Sequence, residues 1–271
     1  MSNAAPILSL RGVTRRFGGL VAVRDVDLDV VPGTIHGLIG PNGAGKSTAF
    51  DLVSGVTPVS AGTIRFDGRD VTHLPVHMRV EAGICRTFQT PRLFEAMTVL
   101  ETVLTGRHRH ARCGFLGSMF SLGAKARDEA QQTEVALRLL ALVGLDGEAD
   151  TTVSGLSYGA RRKLEIARAL ATEPRLLLLD EVASGLNPVE TEFVAGIIRR
   201  LAAEGMTIVL VEHDMRFIMG LCERVTVLNF GARIADGPPV SVTGDEAVIE
   251  AYLGRPRTDA TPRREARRQH G

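Results

Sequence analysis

Short apolar runs alternate with helical stripes along most of this chain. Residues 35–39 are largely apolar, and residues 176–180 are apolar up to a final aspartate, which is typical of buried central strands. Residues 25–30 alternate aspartates with apolar side chains, which predicts a strand with one solvated face. Further strands are predicted at 7–10 and 207–211, and helices at 46–53, 160–172 and 188–204. Strands that alternate with helices predict an α/β fold with a largely parallel sheet.

Two regions depart from that alternation. An Asp-Gly pair at 67–68 follows a short apolar run and predicts a β-hairpin. From about residue 95 to residue 153 the pattern is helical and polar, which predicts a helical subdomain at about 95–160, inserted into a sheet domain. One helix face in it is predicted to consist of Val135, Leu139, Leu142 and Val143. The buried stripe of the helix at 188–204 is predicted to consist of Phe193, Ile197, Ile198 and Leu201.

The composition is that of a soluble globular protein. Of 271 residues, 44% are hydrophobic and 23% are charged, and a net charge of +1 argues against a nucleic-acid binder that relies on overall charge. No apolar run approaches the roughly 18 residues of a membrane span. No signal-peptide core fits at the start, so a membrane role would need a partner. Three cysteines without C-x-x-C spacing suit a reducing cytosol.

Positive charge is concentrated in two places. Residues 255–271 carry six arginines against two acidic residues, a net charge of +4, and their lack of apolar periodicity predicts a solvated, disordered tail. Binding of this tail to anionic lipid or nucleic acid is the open alternative. The cluster of His108, His110 and Cys113 lacks a fourth metal ligand and is flanked by arginines. We therefore expect a basic surface there, not a metal site.

A glycine-rich loop stands between a predicted strand and a predicted helix. Residues 40–47, Gly-Pro-Asn-Gly-Ala-Gly-Lys-Ser, match the phosphate-binding pattern G-x-x-x-x-G-K-S/T. The glycines let backbone N–H groups turn towards phosphate oxygens, and the helix N-terminus adds a partial positive charge. Lys46 can reach the β- and γ-phosphates, and the Ser47 hydroxyl suits Mg²⁺. The predicted nucleotide-binding residues here are Asn42, Gly43, Ala44, Gly45, Lys46, Ser47 and Thr48.

Two adjacent carboxylates end the apolar run at 176–180. Asp180 is placed to hold the water shell of Mg²⁺, and Glu181 is placed to polarise an attacking water. Taken alone, such a pair would be read as two solvated acids capping a strand. The phosphate-binding loop earlier in the chain favours the catalytic interpretation.

Residues 156–160, Leu-Ser-Tyr-Gly-Ala, precede that acidic strand. They stand where the ATP-binding-cassette family has its signature loop, Leu-Ser-Gly-Gly-Gln. With the motifs above, the chain resembles that family over residues 6 to about 253. The resemblance implies a P-loop NTPase domain at 6–254, with a mostly parallel core sheet, an N-terminal antiparallel β subdomain and an inserted α-helical subdomain. It also implies ATP hydrolysis, with ATP and Mg²⁺ as cofactors.

The resemblance assigns further roles by position. Phe17 stands where the family stacks an aromatic ring on adenine, Gln89 where a glutamine touches the metal, and His213 where a histidine contacts the γ-phosphate. Ser157 and Gly159 would serve the ATP of a second subunit, in trans. The implied catalytic residues are Glu181, His213, Gln89 and Lys46. The implied Mg²⁺ residues are Ser47, Gln89 and, through water, Asp180.

Two departures from the family pattern are visible. Ala160 replaces the signature glutamine, so any polar contact from that side chain is lost. Val182 replaces the proline that usually follows the acidic pair. Neither change removes a catalytic group, so we expect a competent enzyme.

Segments at 86–94, 156–159, 185–188 and 251–254, with the insert at 114–117, resemble the larger ATP-binding subunit of branched-chain amino-acid importers. The partners so implied are permease subunits, a second ATPase subunit bound head to tail as a homo- or heterodimer and, indirectly, a periplasmic or extracellular substrate-binding protein. No nucleic acid is expected. The implied location is the cytoplasmic face of the plasma (inner) membrane, held through the permease.

Other members of the family remain as alternatives. Urea or amide uptake and lipid export would use the same enzyme with another cargo. A soluble member acting on ribosomes or DNA would usually carry two cassettes or long insertions. A non-hydrolysing regulatory cassette would be expected to lack Glu181 or His213, and both are present.

Overall fold

The computed structural model describes residues 5–89, 93–108 and 122–253. The insert motif at 114–117, His110 and Cys113 of the histidine cluster, and the arginine-rich tail at 255–271 lie outside the described residues. The interpretations given for them stay predictions.

Strands and helices alternate through most of the described chain. The strands are β1 (Leu8–Phe17), β2 (Leu20–Val30), β3 (Ile35–Ile39), β4 (Ala61–Phe66), β5 (Arg69–Asp70), β6 (Ile84–Arg86), β7 (Leu176–Asp180), β8 (Thr207–Val211), β9 (Arg224–Asn229) and β10 (Ala232–Gly237). The helices are α1 (Lys46–Ser54), α2 (Val76–Ala82), α3 (Val99–Arg107), α4 (Leu122–Leu142), α5 (Tyr158–Leu170), α6 (Pro188–Ala203), α7 (Met215–Leu221), α8 (Pro239–Thr243) and α9 (Glu246–Leu253). Within the described ranges, no helix combines the length and apolar character that a membrane crossing requires.

An antiparallel sheet of order β2-β1-β4-β5 forms the N-terminal part. In β2 the apolar positions from Val26 to Val30 are buried and the intervening aspartates are exposed, as the alternation predicted. The prediction for β1 was too short, because the strand continues from Leu10 to Phe17. It does so across an irregularity in its pairing with β2, next to Gly12, which has a positive φ of 59°. This local break explains why the pattern of side chains did not extend the strand.

The core sheet has the order β10-β9-β3-β8-β7-β6, and its pairs are parallel except β10 with β9. Every residue of β3, β7 and β8 is buried, as expected for central strands. The carboxyl ends of parallel strands meet at one edge of a sheet. The residues that follow β3, β6, β7 and β8 therefore converge there, and the predicted α/β fold is confirmed.

Helices α3, α4 and α5 stand between β6 and β7 in the chain and pack on one another. Of the predicted face, Leu139 and Leu142 on α4 pack against the core and Val143, just after α4, lies in it, but the most deeply buried residues of α4 lie one position further along. The buried residues are Ala136, Leu140 and Val143, whereas Val135, Leu139 and Leu142 are only half-buried. Because α4 packs against both α3 and α5, residues on either side of the predicted face are covered.

Three of the four residues predicted for the buried stripe of α6 are buried, and the fourth is not. Ile197, Ile198 and Leu201 are buried, and Gly205 follows the helix with a positive φ of 93°, as a C-terminal cap requires. Phe193 is instead 44% exposed. Its ring lies against the backbone at Gly144 and 5.2 Å from Lys163 Nζ, so it covers the helical region and not the core.

A buried arginine fixes the end of α1. Arg79 is 1% exposed, and its guanidinium donates to the carbonyl oxygens of Leu52 and Val53 in the last turn of α1. It also donates to Thr72 O and Leu74 O. A cation at a helix C-terminus satisfies carbonyls that have no partner within the helix. Arg79 therefore anchors the helix that begins at the glycine-rich loop.

Candidate functional site

The glycine-rich loop is built by close backbone packing. Gly40, Gly43 and Gly45 all have positive φ. A Cβ on Gly40 would lie 2.1 Å from Leu228 O, and one on Gly45 would lie 2.5 Å from Ala22 O. Helix α1 begins directly after Gly45, with no side-chain hydrogen bond to its first N–H groups. The loop therefore ends at a helix N-terminus whose amides can receive an anion.

Lys46 spans this loop from beneath. Its side chain is buried, and Nζ donates to Gly40 O at 2.7 Å and to Pro41 O at 3.0 Å. An ammonium group has three donors, so one remains for a ligand. Burial lowers the pKa of Lys46, and the nearby carboxylates of Glu181 and Asp180 oppose that shift. The lysine is thus fixed as a point charge in the loop.

A cleft of about 810 Å³ opens over the loop, a size typical of a small-molecule site. It brings together most of the residues predicted from the sequence. Those residues are Phe17, Asn42, Gly43, Ala44, Gly45, Lys46, Ser47, Thr48, Gln89 and Glu181. The Arg15 guanidinium lies 4.4 Å from the centroid of the Phe17 ring at the rim. Phe230, which is 83% exposed, also lines the cleft and was not predicted.

The acidic pair stands at the carboxyl end of β7. Asp180 is buried, its Oδ2 accepts from Arg86 Nη2 at 2.8 Å, and its N–H donates to Thr87 Oγ1 at 3.2 Å. Burial raises the pKa of Asp180, while the Arg86 guanidinium lowers it. Glu181 has a positive φ of 49°, and its Oε2 accepts from Gln89 Nε2 at 2.7 Å. The two carboxylates therefore have different environments.

Sequence reasoning missed the ion pairs around Asp180. Arg86 is 7% exposed at its side chain and pairs with both Asp180 and Asp51 of α1. The signal available was an arginine at the end of a short apolar run, beside the predicted Gln89. Its partners are 35 and 94 residues away in sequence, so no local pattern names them.

Glu212 was also missed. It directly follows β8, it is 1% exposed, and its Oε1 accepts from Ala183 N–H at 2.8 Å. Its Oε2 has no hydrogen-bond partner among the described residues and lies 3.9 Å from His213 Nδ1. Burial raises the pKa of Glu212 to about 7. An apolar strand that ends in a carboxylate, as at Asp180, was the signal that could have found it.

Four predicted residues do not line the cleft of their own chain: Asp180, which directly precedes the lining residue Glu181, and His213, Ser157 and Gly159. The side chain of His213 is 63% exposed at the carboxyl end of β8. Ser157 caps α5 by accepting from Ala160 N–H at 3.2 Å. Gly159 is buried, and a Cβ there would lie 2.3 Å from Glu190 Oε1. Ser157 and Gly159 therefore lie at the N-terminus of α5, outside the cleft of their own chain.

The donors around the cleft fit Mg²⁺ bound together with a nucleotide. Among the described residues, no group of three or more His, Cys, Asp or Glu side chains could hold a metal ion by itself. Mg²⁺ usually keeps several waters and takes one or two protein oxygens plus phosphates. The Ser47 hydroxyl and the Gln89 amide at the cleft, with Asp180 beside it, suit that arrangement.

The protein belongs by its geometry to the class of P-loop nucleotide-binding proteins. That class is defined by a strand, a glycine-rich loop, a lysine at the start of the following helix, and an acidic residue on a neighbouring strand. The sequence model of the family described as "ABC transporter" matches residues 23–184. The model described as "Branched-chain amino acid ATP-binding cassette transporter" matches residues 232–257. The chain belongs to the ATP-binding-cassette (ABC) transporter family and is an ATPase subunit of it.

Similar proteins cover nearly the whole chain. BraF of Pseudomonas aeruginosa, a high-affinity branched-chain amino acid transport ATP-binding protein, is 43% identical over 92% of this chain and 98% of its own length. LivG of Escherichia coli K12, which carries the same description, is 40% identical over the same shares. A crystal structure of a nucleotide-free ATP-binding cassette from an ABC transporter superposes with a TM-score of 0.80 at 30% identity. The superposition covers 92% of this chain and 100% of the crystallised cassette.

Proposed function

We propose that this chain binds and hydrolyses ATP with Mg²⁺ in the cleft above α1, and that it powers the import of branched-chain amino acids. One observation carries the proposal. A single cleft joins Lys46 and Ser47, at the start of α1, to Gln89 and Glu181, which follow β6 and β7. Those elements supply the phosphate ligands, the metal ligands and the water-activating carboxylate that phosphoryl transfer needs.

The loop binds the triphosphate. Its backbone amides and the N-terminus of α1 hold phosphate oxygens, and Lys46 reaches the β- and γ-phosphates with its remaining donor. Ser47 and Gln89, with Asp180 through water, would hold Mg²⁺, which would supply positive charge to the phosphate oxygens. Phe17, at the rim, stacks on the adenine.

Glu181 orients and polarises the attacking water. Its Oε2 accepts from Gln89, which supports a defined orientation of the carboxylate, and Oε1 is left to accept from water. Arg86 already partners one oxygen of Asp180, so we assign Asp180 to the metal site and Glu181 to the water. His213 contacts the γ-phosphate from the loop after β8.

We further propose that two such subunits pair head to tail. Ser157 and Gly159 then complete the site of the partner subunit from the N-terminus of α5. Their position away from their own cleft supports this assignment. The partner is either a second copy or a related ATPase subunit, and closing and opening of the pair converts hydrolysis into motion.

The cargo follows from the relatives. BraF and LivG are both described as high-affinity branched-chain amino acid transport ATP-binding proteins, and the description of the family model that matches 232–257 also names branched-chain amino acids. We infer that the chain docks on permease subunits at the cytoplasmic face of the inner membrane. A substrate-binding protein on the other side delivers the amino acid. Nucleic acid has no part in this function.

Uptake by reconstituted vesicles tests the proposal. The chain is co-expressed with its cognate permease subunits, and ATP-driven uptake of labelled leucine, isoleucine and valine is measured in the presence of the binding protein. The matched control carries Glu181→Gln. Leucine uptake that needs the parental chain supports the proposal. Uptake of urea, or movement of lipid, without leucine uptake would overturn the assigned cargo.

A further inference from the structure

Helix α5 carries an ion pair that is almost fully removed from solvent. The side chains of Arg162 and Glu165 are each 2% exposed, and Arg162 Nη1 lies 4.0 Å from Glu165 Oε2. Burying two charges costs several kcal/mol for each ion, unless hydrogen bonds satisfy their remaining donors and acceptors. The other partners of this pair therefore show what it holds in place.

Besides Arg168, 3.8 Å from Glu165, and the Tyr158 hydroxyl, those partners include both backbone groups of one residue, Phe88. The Phe88 N–H donates to Glu165 Oε1 at 2.9 Å, and Arg162 Nη1 donates to Phe88 O at 3.0 Å. Two side chains of one helix thus hold both polar groups of a single residue outside that helix. This arrangement fixes both the position and the orientation of the residue relative to α5.

The residue before Phe88 is held on the opposite side. Thr87 N–H donates to Leu178 O of β7, and Thr87 Oγ1 accepts from Asp180 N–H. The segment 87–88 is therefore anchored between β7 and α5. Gln89 comes directly after this anchored segment, and its side chain reaches Glu181.

Arg162 also connects this segment to the start of α5. Its Nε donates to the Tyr158 hydroxyl at 3.0 Å. A Cβ on Gly185 would lie 2.9 Å from Tyr158 Cε1, so the tyrosine ring packs against the loop after β7. One guanidinium therefore links Phe88 to the residue that lies between Ser157 and Gly159.

We propose that Arg162 and Glu165 are positioning residues that hold Gln89 at the nucleotide cleft by fixing the backbone of Phe88. This inference rests on the proposed roles of Gln89 and Glu181 and deepens them. It assigns the placement of Gln89 to a buried ion pair on α5.

The test compares single variants of the full-length chain. Glu165→Leu removes the acceptor for Phe88 N–H, and Glu165→Gln keeps an acceptor of the same shape. Arg162→Lys keeps the charge but loses the fork that joins Phe88 O to Tyr158. The control is Arg107→Met, which removes another buried arginine of the helical region, paired with Glu173 and without contact to Phe88. Each variant is measured for kcat, KM for ATP, ATP affinity and melting temperature.

We expect Glu165→Leu and Arg162→Lys to lower kcat roughly tenfold, because a misplaced group near the chemistry costs rate. ATP affinity should stay close to the parental value, because the loop at 40–47 is untouched. Glu165→Gln should keep most of the parental kcat, because the amide oxygen can still accept from Phe88 N–H. Arg107→Met should lower the melting temperature while kcat, measured below that temperature, is kept. If Glu165→Leu does not fold, Arg162→Lys alone decides the outcome.

A double variant tests whether the effect passes through Gln89. Added to Gln89→Ala, Arg162→Lys should reduce kcat no further. Equal kcat in the parent and in Arg162→Lys would make the pair purely structural and overturn the proposal. Multiplied losses in the double variant would also overturn it, because the pair would then act independently of Gln89. A parental kcat in Gln89→Ala would instead show that the proposed role of Gln89 itself is wrong.

Discussion

Gln89 Nε2 donates a 2.7 Å hydrogen bond to Glu181 Oε2. The two residues are 92 apart in the chain, yet each follows one of two adjacent parallel strands, β6 and β7. The pairing of these strands brings the amide and the carboxylate to the same edge of the sheet. This hydrogen bond partners Oε2 of Glu181 and so restricts the rotation of the carboxylate and the position of Oε1. A carboxylate that polarises water benefits from such a fixed orientation.

Lys46→Ala tests the phosphate-binding loop. The variant loses the buried ammonium that spans Gly40 and Pro41, and we expect ATP affinity to fall by roughly 10- to 100-fold, the worth of a charge-assisted hydrogen bond. The fold should remain, and melting curves recorded beside the binding titrations would show it. Lys163→Ala is the matched control, because Lys163 lies outside the cleft. Parental ATP affinity in a folded Lys46→Ala variant would remove the lysine from the site.

His36 makes stability depend on pH. It is buried in β3, its Nε2 lies 2.9 Å from Thr226 Oγ1, and burial lowers its pKa to about 4. As the pH falls, His36 takes up a proton near pH 6.5 in the unfolded chain but only near pH 4 in the folded chain. Stability should therefore be full above about pH 6.5 and fall by about 3 kcal/mol as the pH drops to about 4.

Urea unfolding at several pH values measures this dependence. His36→Gln, which does not titrate, should flatten the curve between about pH 6.5 and 4. His73→Gln serves as the control, because His73 is exposed. An unchanged slope in His36→Gln would mean that other groups cause the acid sensitivity.

Arg79→Met tests the anchor at the end of α1. Removing the guanidinium leaves the carbonyl oxygens of Leu52, Val53 and Thr72 without that donor in a buried site. Each such loss costs about 1–3 kcal/mol, so we expect the free energy of unfolding to fall by at least about 3 kcal/mol. Arg199→Met is the control, because its pair with Glu192 is exposed and should contribute at most about 1 kcal/mol. A similar loss in both variants would contradict the anchoring role.

Ser157→Arg tests the sharing of sites between two subunits. The bulky side chain stands at the N-terminus of α5 and leaves the loop at 40–47 intact, so the variant should bind ATP with near-parental affinity. In mixed pairs with an intact partner, single-turnover hydrolysis should fail at the partner's ATP and continue at the site built on the variant's own Lys46. Ser241→Arg, an exposed serine on α8, is the control. Loss of hydrolysis at the variant's own site, with the partner's site intact, would mean that the signature loop serves the nucleotide of its own chain, and it would contradict the sharing of sites.

Much of the cleft could be predicted because it is built largely from short motifs that are each contiguous in the sequence. The loop at 40–47 and the pair Asp180 and Glu181 are contiguous motifs that follow apolar strands, and burial of those strands brings them to one edge. Glu212 follows an apolar strand as Asp180 ends one, so the same reasoning could have found it, whereas the roles of Arg86 and Phe230 depend on contacts between distant segments. Phe193 was misplaced for the same reason, since its apolar ring covers Lys163 and Gly144 instead of the core.

Glu181→Gln, measured for hydrolysis and binding together, tests most directly that this cleft hydrolyses ATP. The amide has the same shape as the carboxylate but lacks the charge that polarises water. The proposed mechanism predicts near-parental ATP affinity and a fall in kcat of about 10²–10⁴-fold. Glu192→Gln, a carboxylate outside the cleft, should keep the parental kcat. Parental turnover in Glu181→Gln would show that another group activates the water, and it would contradict the proposed mechanism.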